Sequence, residues 1–158
     1  MKQLRAILDK ALSFICEAMF AFMTLLAVYQ VVVRYLFNSP SSFSEELLSY
    51  TFAWLSMLAA VLVFGERDHM RLSLFSDKQK GKSGILLAMV TELLIMIFAI
   101  LALIYGGVTI VKLALPQVTA SLGVPMGYVY TIMPISGVLT VVYNVLNLND
   151  LWTEFRKG

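Results

Sequence analysis

Four long apolar runs alternate with short polar segments along this sequence. The runs cover residues 12–37, 46–64, 85–115 and 126–148. About 20 mostly apolar residues suffice for a helix to cross the hydrocarbon core of a bilayer. Since lipid offers the backbone no hydrogen-bond partners, such runs fold as helices. The pattern therefore predicts an all-α integral membrane protein, a single domain with four transmembrane helices.

Two of the runs contain features that should disturb a regular helix. The third run has 31 residues (85–115) and would be about 46 Å long at 1.5 Å per residue. Because that exceeds a hydrocarbon core of about 30 Å, we expect it to tilt, kink or project. Gly106 and Gly107 are the expected site of a bend or a close helix contact. In the fourth run, Pro134 should remove a backbone hydrogen bond and kink the helix.

A sharp corner is predicted between the first and second runs. Residues 38–41 read Asn-Ser-Pro-Ser, and these residue types favour turns. Ser42 with Glu45 fits a capping box, and Ser44 is a second candidate for the N-cap. Glu45 and Glu46 place negative charge at the positive end of the second helix. The corner should therefore lie at the boundary between lipid and water.

The corner also supplies the candidates for binding a partner protein. A salt bridge between Arg34 and either glutamate would close the corner, whereas an open arrangement would leave a docking surface, and both interpretations stand. The partner-binding candidates are Arg34, Tyr35, Glu45, Glu46 and Trp54.

Basic residues predict the orientation in the membrane. Ten of the twelve Lys and Arg residues lie in the N-terminal segment, in the connection 65–84 and in the C-terminal segment. The positive-inside rule then places both termini and this connection in the cytoplasm. The corner and the connection 116–125 should face outward.

The basic connection 65–84 mixes apolar and cationic residues. One interpretation is a short amphipathic helix lying in the membrane interface, with its cations at anionic lipid headgroups. The alternative is an ordinary basic loop. The candidate interfacial residues are His69, Arg71, Lys78, Lys80 and Lys82.

Two acidic residues, Glu17 and Glu92, lie inside the apolar runs. Charges in the hydrocarbon layer are costly and are usually functional. Each lies about 10 Å from the predicted cytoplasmic face, so the two acids could face each other or a cation of a partner. A proton or ion relay is one interpretation. A carboxylate that reaches a wet interface or binds a neighbouring subunit is the other.

Composition narrows the function further. Of the 158 residues, 59% are hydrophobic and 14% are charged, whereas soluble domains average roughly a quarter charged residues. One cysteine and one histidine exclude a disulfide within the chain and disfavour a metal or haem site. No phosphate-binding loop and no group of nucleophile, base and orienting acid is present. We therefore expect no enzyme, no bound cofactor or metal, and no nucleic-acid partner.

An ordered set of short motifs resembles one known family over almost the whole chain. The set resembles the small membrane subunit of tripartite ATP-independent periplasmic (TRAP) transporters, the DctQ-like family. The motifs are Arg34-Tyr35, Glu45-Glu46, Trp54, His69-Met70-Arg71, Leu122-Gly123-Val124-Pro125-Met126, Tyr128 and Pro134.

This resemblance implies a subunit without a catalytic role in the bacterial inner membrane. It would brace a much larger membrane subunit that holds the substrate and sodium sites. A soluble periplasmic binding protein would deliver the organic acid, and the sodium gradient would drive uptake. C4-dicarboxylates, sialic acid and related sugar acids are the substrates that the resemblance implies. Small residues offer close packing against such a partner, and the candidates are Ala59, Ala60, Gly106, Gly107 and Gly137.

A rival hypothesis is a small proton-coupled multidrug or cation exporter that uses Glu17. Four helices and an acid in the first helix suit such an exporter. The basic connection 65–84 and the extended third run do not.

Overall fold

Four long apolar helices form the part of the chain that the computed structural model describes, residues 2–65 and 82–157. The all-α prediction with four helices of membrane-spanning length is confirmed. His69, Arg71, Lys78 and Lys80 of the predicted basic connection lie outside the described residues, and Lys82 begins a helix. The predicted interfacial helix therefore remains a prediction.

The first two helices are continuous, whereas the third and fourth are each divided. Helix α1 spans Lys2–Leu36 and α2 spans Ser42–Gly65. Helix three consists of α3, a π-helical segment and α4; helix four consists of α5 and α6. Their bounds are Lys82–Phe98 for α3, Ala99–Gly106 for the π-helical segment, Gly107–Ala114 for α4, Met126–Tyr130 for α5 and Ile132–Lys157 for α6.

Contacts near the two termini define one end of the helix bundle. Arg5, near the start of α1, lies 3.5 Å from the carboxylate of Asp150 in α6 and donates a hydrogen bond to the carbonyl of Gly65, the last residue of α2. We call this the terminal end. The corner 37–41 and the connection 115–125 lie at the opposite end, the loop end. Successive helices therefore alternate in direction.

Helix four occupies the centre of the bundle. It packs against both α2 and helix three, whereas α1 packs mainly on α2. Tyr143 and Ile132 of α6 belong to the apolar core, together with side chains of α1 and α2. The outer side of α1 stays exposed over most of its length. The chain therefore has a central helix and a peripheral one.

Small residues bring helix three against helix four. A Cβ atom at Gly107 would lie 2.9 Å from Cδ of Pro134, and one at Gly137 would lie 2.8 Å from Cβ of Leu103. The predicted close contact at Gly106-Gly107 is thus found at Gly107. Gly107 and Gly137 are used inside the chain, contrary to the expectation that they pack against a partner. A Cβ at Gly106 would have Leu101 O, at 3.5 Å, as its nearest neighbour.

Pro134 explains why helix four is divided. A proline lacks the N–H that would bond to the carbonyl four residues earlier, and its ring crowds that carbonyl. Here that carbonyl belongs to Tyr130, the last residue of α5, and the helix resumes at Ile132. The predicted disturbance is present, one turn before the proline.

The corner between α1 and α2 begins with Asn38 in a left-handed conformation, at a φ of 50°. Asparagine tolerates this conformation better than most residues do. The N-cap of α2 is Ser41, whose Oγ accepts from the Ser44 N–H at 3.4 Å. The predicted N-caps, Ser42 and Ser44, are wrong, since both lie within the helix. Several serines offer the same capping chemistry here, so sequence alone does not choose among them.

Adjacent glycines provide a matched test of the contact between helices three and four. We expect Gly107→Ala to destabilise the chain by about 1–3 kcal/mol, because the added methyl meets Pro134 and Met133 and overpacks the contact. Gly106→Ala should stabilise it by about 0.5–1 kcal/mol, since alanine is the better helix former and its methyl has room. Thermal unfolding in detergent, followed by circular dichroism, measures both. Equal effects of the two substitutions would contradict this contact.

Candidate functional site

The carboxylate of Glu46, in the second turn of α2, ties that helix to the connection 115–125. It accepts hydrogen bonds from three successive backbone N–H groups, those of Ala120 at 3.1 Å, Ser121 at 2.7 Å and Leu122 at 2.9 Å. The hydroxyl of Tyr50 donates a fourth hydrogen bond at 2.7 Å. Hydrogen bonds to an ionised acceptor are stronger than those between neutral groups. Glu46 therefore fixes the connection on α2.

The connection has a compact shape that presents those N–H groups together. Thr119 donates its N–H to the Val124 carbonyl at 2.9 Å, and its Oγ1 accepts from the Val124 N–H at 3.0 Å. Gly123 turns the chain at a φ of 67°, a conformation that glycine adopts at little cost. The Met126 N–H closes the turn on the Gln117 carbonyl at 2.8 Å.

Two further side chains of the same α2 face extend this attachment into helix four. The Tyr50 hydroxyl also lies 3.5 Å from the sulfur of Met126. The indole N–H of Trp54 donates to the carbonyl of Val129 at 2.9 Å, next to the break in helix four. Residues four apart share a helix face, so Glu46, Tyr50 and Trp54 act together.

Sequence reasoning selected two residues of this face but not the residues that they contact. Glu46 and Trp54 were candidates for binding a partner, and the structure engages both with the chain's own residues 120–129. The binding partners are backbone groups, which every residue type carries. The sequence therefore predicts a turn in the connection from its residue types, but it does not predict that Glu46 and Trp54 bind residues 120–129.

The other corner candidates, Arg34, Tyr35 and Glu45, are exposed. They line a groove of about 190 Å³ with Gln30, Val31, Pro40 and Ser41. The predicted salt bridge of Arg34 with Glu45 or Glu46 is not formed: among the described residues, the ion pair within 4.0 Å is Arg5 with Asp150. Glu46 turns toward the connection instead. The groove thus presents one cation and one anion at the loop end.

Glu92 lies buried between helices three and four, with 8% of its surface exposed. The Asn147 amide donates to Glu92 Oε1 at 3.4 Å. With its amide oriented to satisfy both ends, Asn144 donates to Glu92 Oε2 at 2.5 Å and accepts from the Met96 N–H at 3.2 Å. Glu92 therefore joins two helices of this chain and does not face Glu17. Two asparagines three residues apart in an apolar helix were the signal that sequence reasoning missed.

Tyr143 makes a second polar tie at the terminal end. Its side chain is fully buried, and its hydroxyl donates to Asp9 Oδ1 at 2.6 Å. Gly65 leaves room for the ring, since a Cβ there would lie 2.6 Å from Tyr143 Cε1. This contact joins α6 to α1 and to the end of α2.

Glu17 differs from Asp9, Glu46 and Glu92, whose carboxylates bind other parts of the chain. It is exposed on α1 and forms no hydrogen bond or ion pair with the residues that the structure covers. No three His, Cys, Asp or Glu side chains converge as metal ligands in residues 2–65 and 82–157.

Neighbouring glutamates provide a matched test of the tie at the loop end. We expect Glu46→Gln to speed amide hydrogen exchange at Ala120, Ser121 and Leu122 by about tenfold, because the neutral amide is a weaker acceptor and turns an N–H₂ group toward them. Glu45→Gln should leave exchange in the connection unchanged, since Glu45 is exposed and the three N–H groups donate to Glu46. Unchanged exchange in the Glu46 variant would contradict the role of this carboxylate.

Comparison with known proteins identifies the family. Residues 4–154 match the family described as tripartite ATP-independent periplasmic transporters, DctQ component. The chain is 33% identical over 139 residues to a Haemophilus influenzae protein named as a TRAP transporter small permease protein, covering 88% of this chain and 86% of that protein. A second H. influenzae protein of that name is 27% identical over 134 residues, 83% of this chain and 79% of its own length.

A third relative carries a substrate in its name. The sialic acid TRAP transporter small permease protein SiaQ of Vibrio cholerae is 28% identical over 107 residues, 66% of this chain and 62% of its own length. These matches confirm the resemblance carried by the sequence motifs. They also make the chain a component of a transporter and not an enzyme. The chain belongs to the DctQ family, the small permease component of tripartite ATP-independent periplasmic transporters.

Proposed function

We propose that this chain is the small scaffold subunit of a sodium-driven TRAP transporter and that it braces the large transport subunit. The observation that carries the proposal is the use of its buried polar side chains. Glu92, Asn147 and Tyr143 bind neighbouring helices of the same chain. Polar groups that fix helices to one another suit a rigid brace, whereas a transport path needs such groups to meet a solute.

Ties at both ends of the bundle favour this scaffold role. At the loop end, Glu46 holds the connection between helices three and four. At the terminal end, Tyr143 bonds to Asp9 of α1, and Asn147 bonds to the Phe64 carbonyl of α2. A brace must keep its shape while its partner moves, and interhelical hydrogen bonds restrict relative motion of the helices.

The substrate of the transporter is proposed to be an organic acid delivered by a periplasmic binding protein. One relative is named for sialic acid, and C4-dicarboxylates or related sugar acids are the alternatives that the family resemblance implies. Substrate and sodium sites are assigned to the large subunit. This chain bears no solute-binding role in the proposal.

Localisation in a bacterial inner membrane follows from the same assignment. We infer that the terminal end lies in the cytoplasm, because most Lys and Arg residues belong to segments at that end. The loop end then faces the periplasm and offers Arg34, Tyr35 and Glu45 as exposed contacts for the binding protein or the large subunit. His69, Arg71, Lys78, Lys80 and Lys82 are proposed to contact lipid headgroups.

The exporter hypothesis loses its basis, because the family assignment makes the chain a component of a multi-part transporter. Glu17, its proposed coupling residue, lies on the outward side of α1. An acid at that position does not line a path between the four helices.

The scaffold assignment predicts that transport needs all three components. Proteoliposomes that contain this chain, the large subunit and the binding protein should take up labelled organic acid under a sodium gradient. Omitting this chain should reduce uptake to background. Calorimetry on the purified chain should detect no binding of sialic acid or C4-dicarboxylates. Stoichiometric binding or uptake by the chain alone would overturn the proposal.

The proposed orientation predicts the accessibility of two engineered cysteines. In a Cys16→Ala background, Ser121→Cys in the connection 115–125 should react with a membrane-impermeant maleimide added to spheroplasts. Gln3→Cys at the start of α1 should react only after the membrane is permeabilised. The reverse pattern would invert the topology, and labelling of both positions from outside would exclude two termini in the cytoplasm.

A further inference from the structure

We propose that the large membrane subunit packs on the face of α1 that carries Glu17, and that an arginine or lysine of that subunit pairs with the Glu17 carboxylate. This inference rests on the proposed function, which supplies the large subunit as the partner. It adds which surface of this chain the partner covers and the chemistry by which it is held.

The position of Glu17 along α1 places its charge away from the water at the loop end. Arg34, in the last turn of α1, is 17 residues further along. At 1.5 Å per residue, Glu17 is therefore about 25 Å from the level of Arg34. The hydrocarbon core is about 30 Å thick, so Glu17 lies within the apolar layer, about 5 Å from its inner boundary, when Arg34 lies at its outer boundary.

An ionised group at such a depth needs a partner. Bare charges within a membrane are costly, and acidic side chains there typically face protein or water and pair with an opposite charge. Glu17 makes no hydrogen bond or ion pair within residues 2–65 and 82–157. The packed side of α1 carries Leu12, Cys16 and Met19, whereas Glu17 is exposed. Since residues 2–65 and 82–157 supply no such partner, we assign it to the neighbouring subunit.

Side-chain size separates two exposed faces of α1. Residues spaced by three and four share a face of a helix. Positions 21, 24, 28 and 31, which follow Glu17 at this spacing, are small or β-branched, and the exposed aromatic residues Phe20 and Tyr35 border them. We call this set the Glu17 stripe: Glu17, Ala21, Thr24, Val28 and Val31, all exposed. A second exposed set, the bulky face, lies beside it: Phe14, Phe22, Leu25, Tyr29 and Leu36.

The two faces suit different neighbours. Small residues let helix backbones approach closely, which favours helix association in lipid. The hydroxyl of Thr24 donates to the Phe20 carbonyl at 2.9 Å, so this residue adds no unsatisfied polar group to the stripe. Large aromatic and aliphatic side chains fit a lipid environment well. The stripe therefore fits a helix of another protein, and the bulky face fits lipid.

The charge of Glu17 also selects among protein partners. A symmetric contact between two copies of this chain buries the same patch on both subunits. Two parallel α1 helices joined through the stripe would then bring two Glu17 carboxylates together, and like charges in one site repel. A partner with a cationic side chain satisfies Glu17, whereas a second copy does not.

Two leucine substitutions in neighbouring residues test the ion pair. The tagged chain is co-expressed with the large subunit, and recovery of that subunit is measured after mild solubilisation. We expect Glu17→Leu to lower recovery by about tenfold, because the partner's cation is left buried and unpaired. Ala18→Leu, at the same depth on the bulky face, should leave recovery unchanged. Full recovery with Glu17→Leu would overturn the ion pair, since a lipid-facing glutamate is replaced by leucine without loss.

A photocrosslinking amino acid at two alanines tests the face itself. Ala21 in the Glu17 stripe and Ala18 on the bulky face are both exposed, so each can accept the probe. In membranes that contain the complex, irradiation should give an adduct with the large subunit from position 21 and not from position 18. An adduct of two copies of this chain from position 21, an adduct with the large subunit from position 18 only, or none from either position would overturn the assignment.

Co-purification of the unsubstituted chain separates the two levels of the hypothesis. If the large subunit is recovered with it but the adduct forms elsewhere, the scaffold role stands and the face is wrong. If the large subunit is not recovered with the unsubstituted chain, the proposed function fails and this inference fails with it.

Discussion

The carboxylate of Glu46 holds together the parts of the chain that a membrane alone would leave loosely related. Three consecutive backbone N–H groups of the connection 115–125 bind it. Backbone N–H groups in a turn need an acceptor from the turn itself, from water or from a side chain. Here a side chain of α2 supplies it. At the loop end, the position of the connection against α2 therefore depends on this carboxylate, and Tyr50 and Trp54 of the same face add contacts to helix four.

The same physical rule governs the terminal end with different residues. Apolar burial does little to hold helices together in lipid, so hydrogen bonds and small residues determine which surfaces meet. Helix four carries most of these determinants: Tyr143 and Asn147 reach three other helices, and Gly137 admits helix three at close range. It lies at the centre because it offers the polar contacts, while α1, which offers few of them, lies at the edge.

The number and type of the helices were accessible from sequence because each run of about 20 apolar residues has one stable form in lipid. The effects of Gly107 and Pro134 were also accessible, since a missing Cβ and a missing N–H act on local geometry. The engagement of Glu46 was not, because its partners are backbone groups some 75 residues away. The absence of a bridge between Arg34 and Glu46 follows from that engagement and was equally hidden. Turn and helix preferences thus predicted the position of the corner, whereas the contact of Glu46 with residues 120–122 could be seen only in the structure.

Whether a charged side chain without a partner indicates a binding site depends on its depth in the membrane. Arg34 and Glu45 lie at the loop end, where water solvates an exposed ion at little cost, so their exposure is compatible with a free surface as well as with an interface. Glu17 lies some 25 Å further along α1 by helical rise, a level that the proposed topology places in lipid, which gives no such solvation. Glu92 faces the same constraint, and the chain meets it by folding Asn144 and Asn147 around the carboxylate. The chain therefore satisfies one acid of its apolar helices with its own side chains and leaves the other on its outer surface, which is why we propose a partner protein at the second acid and not at the first.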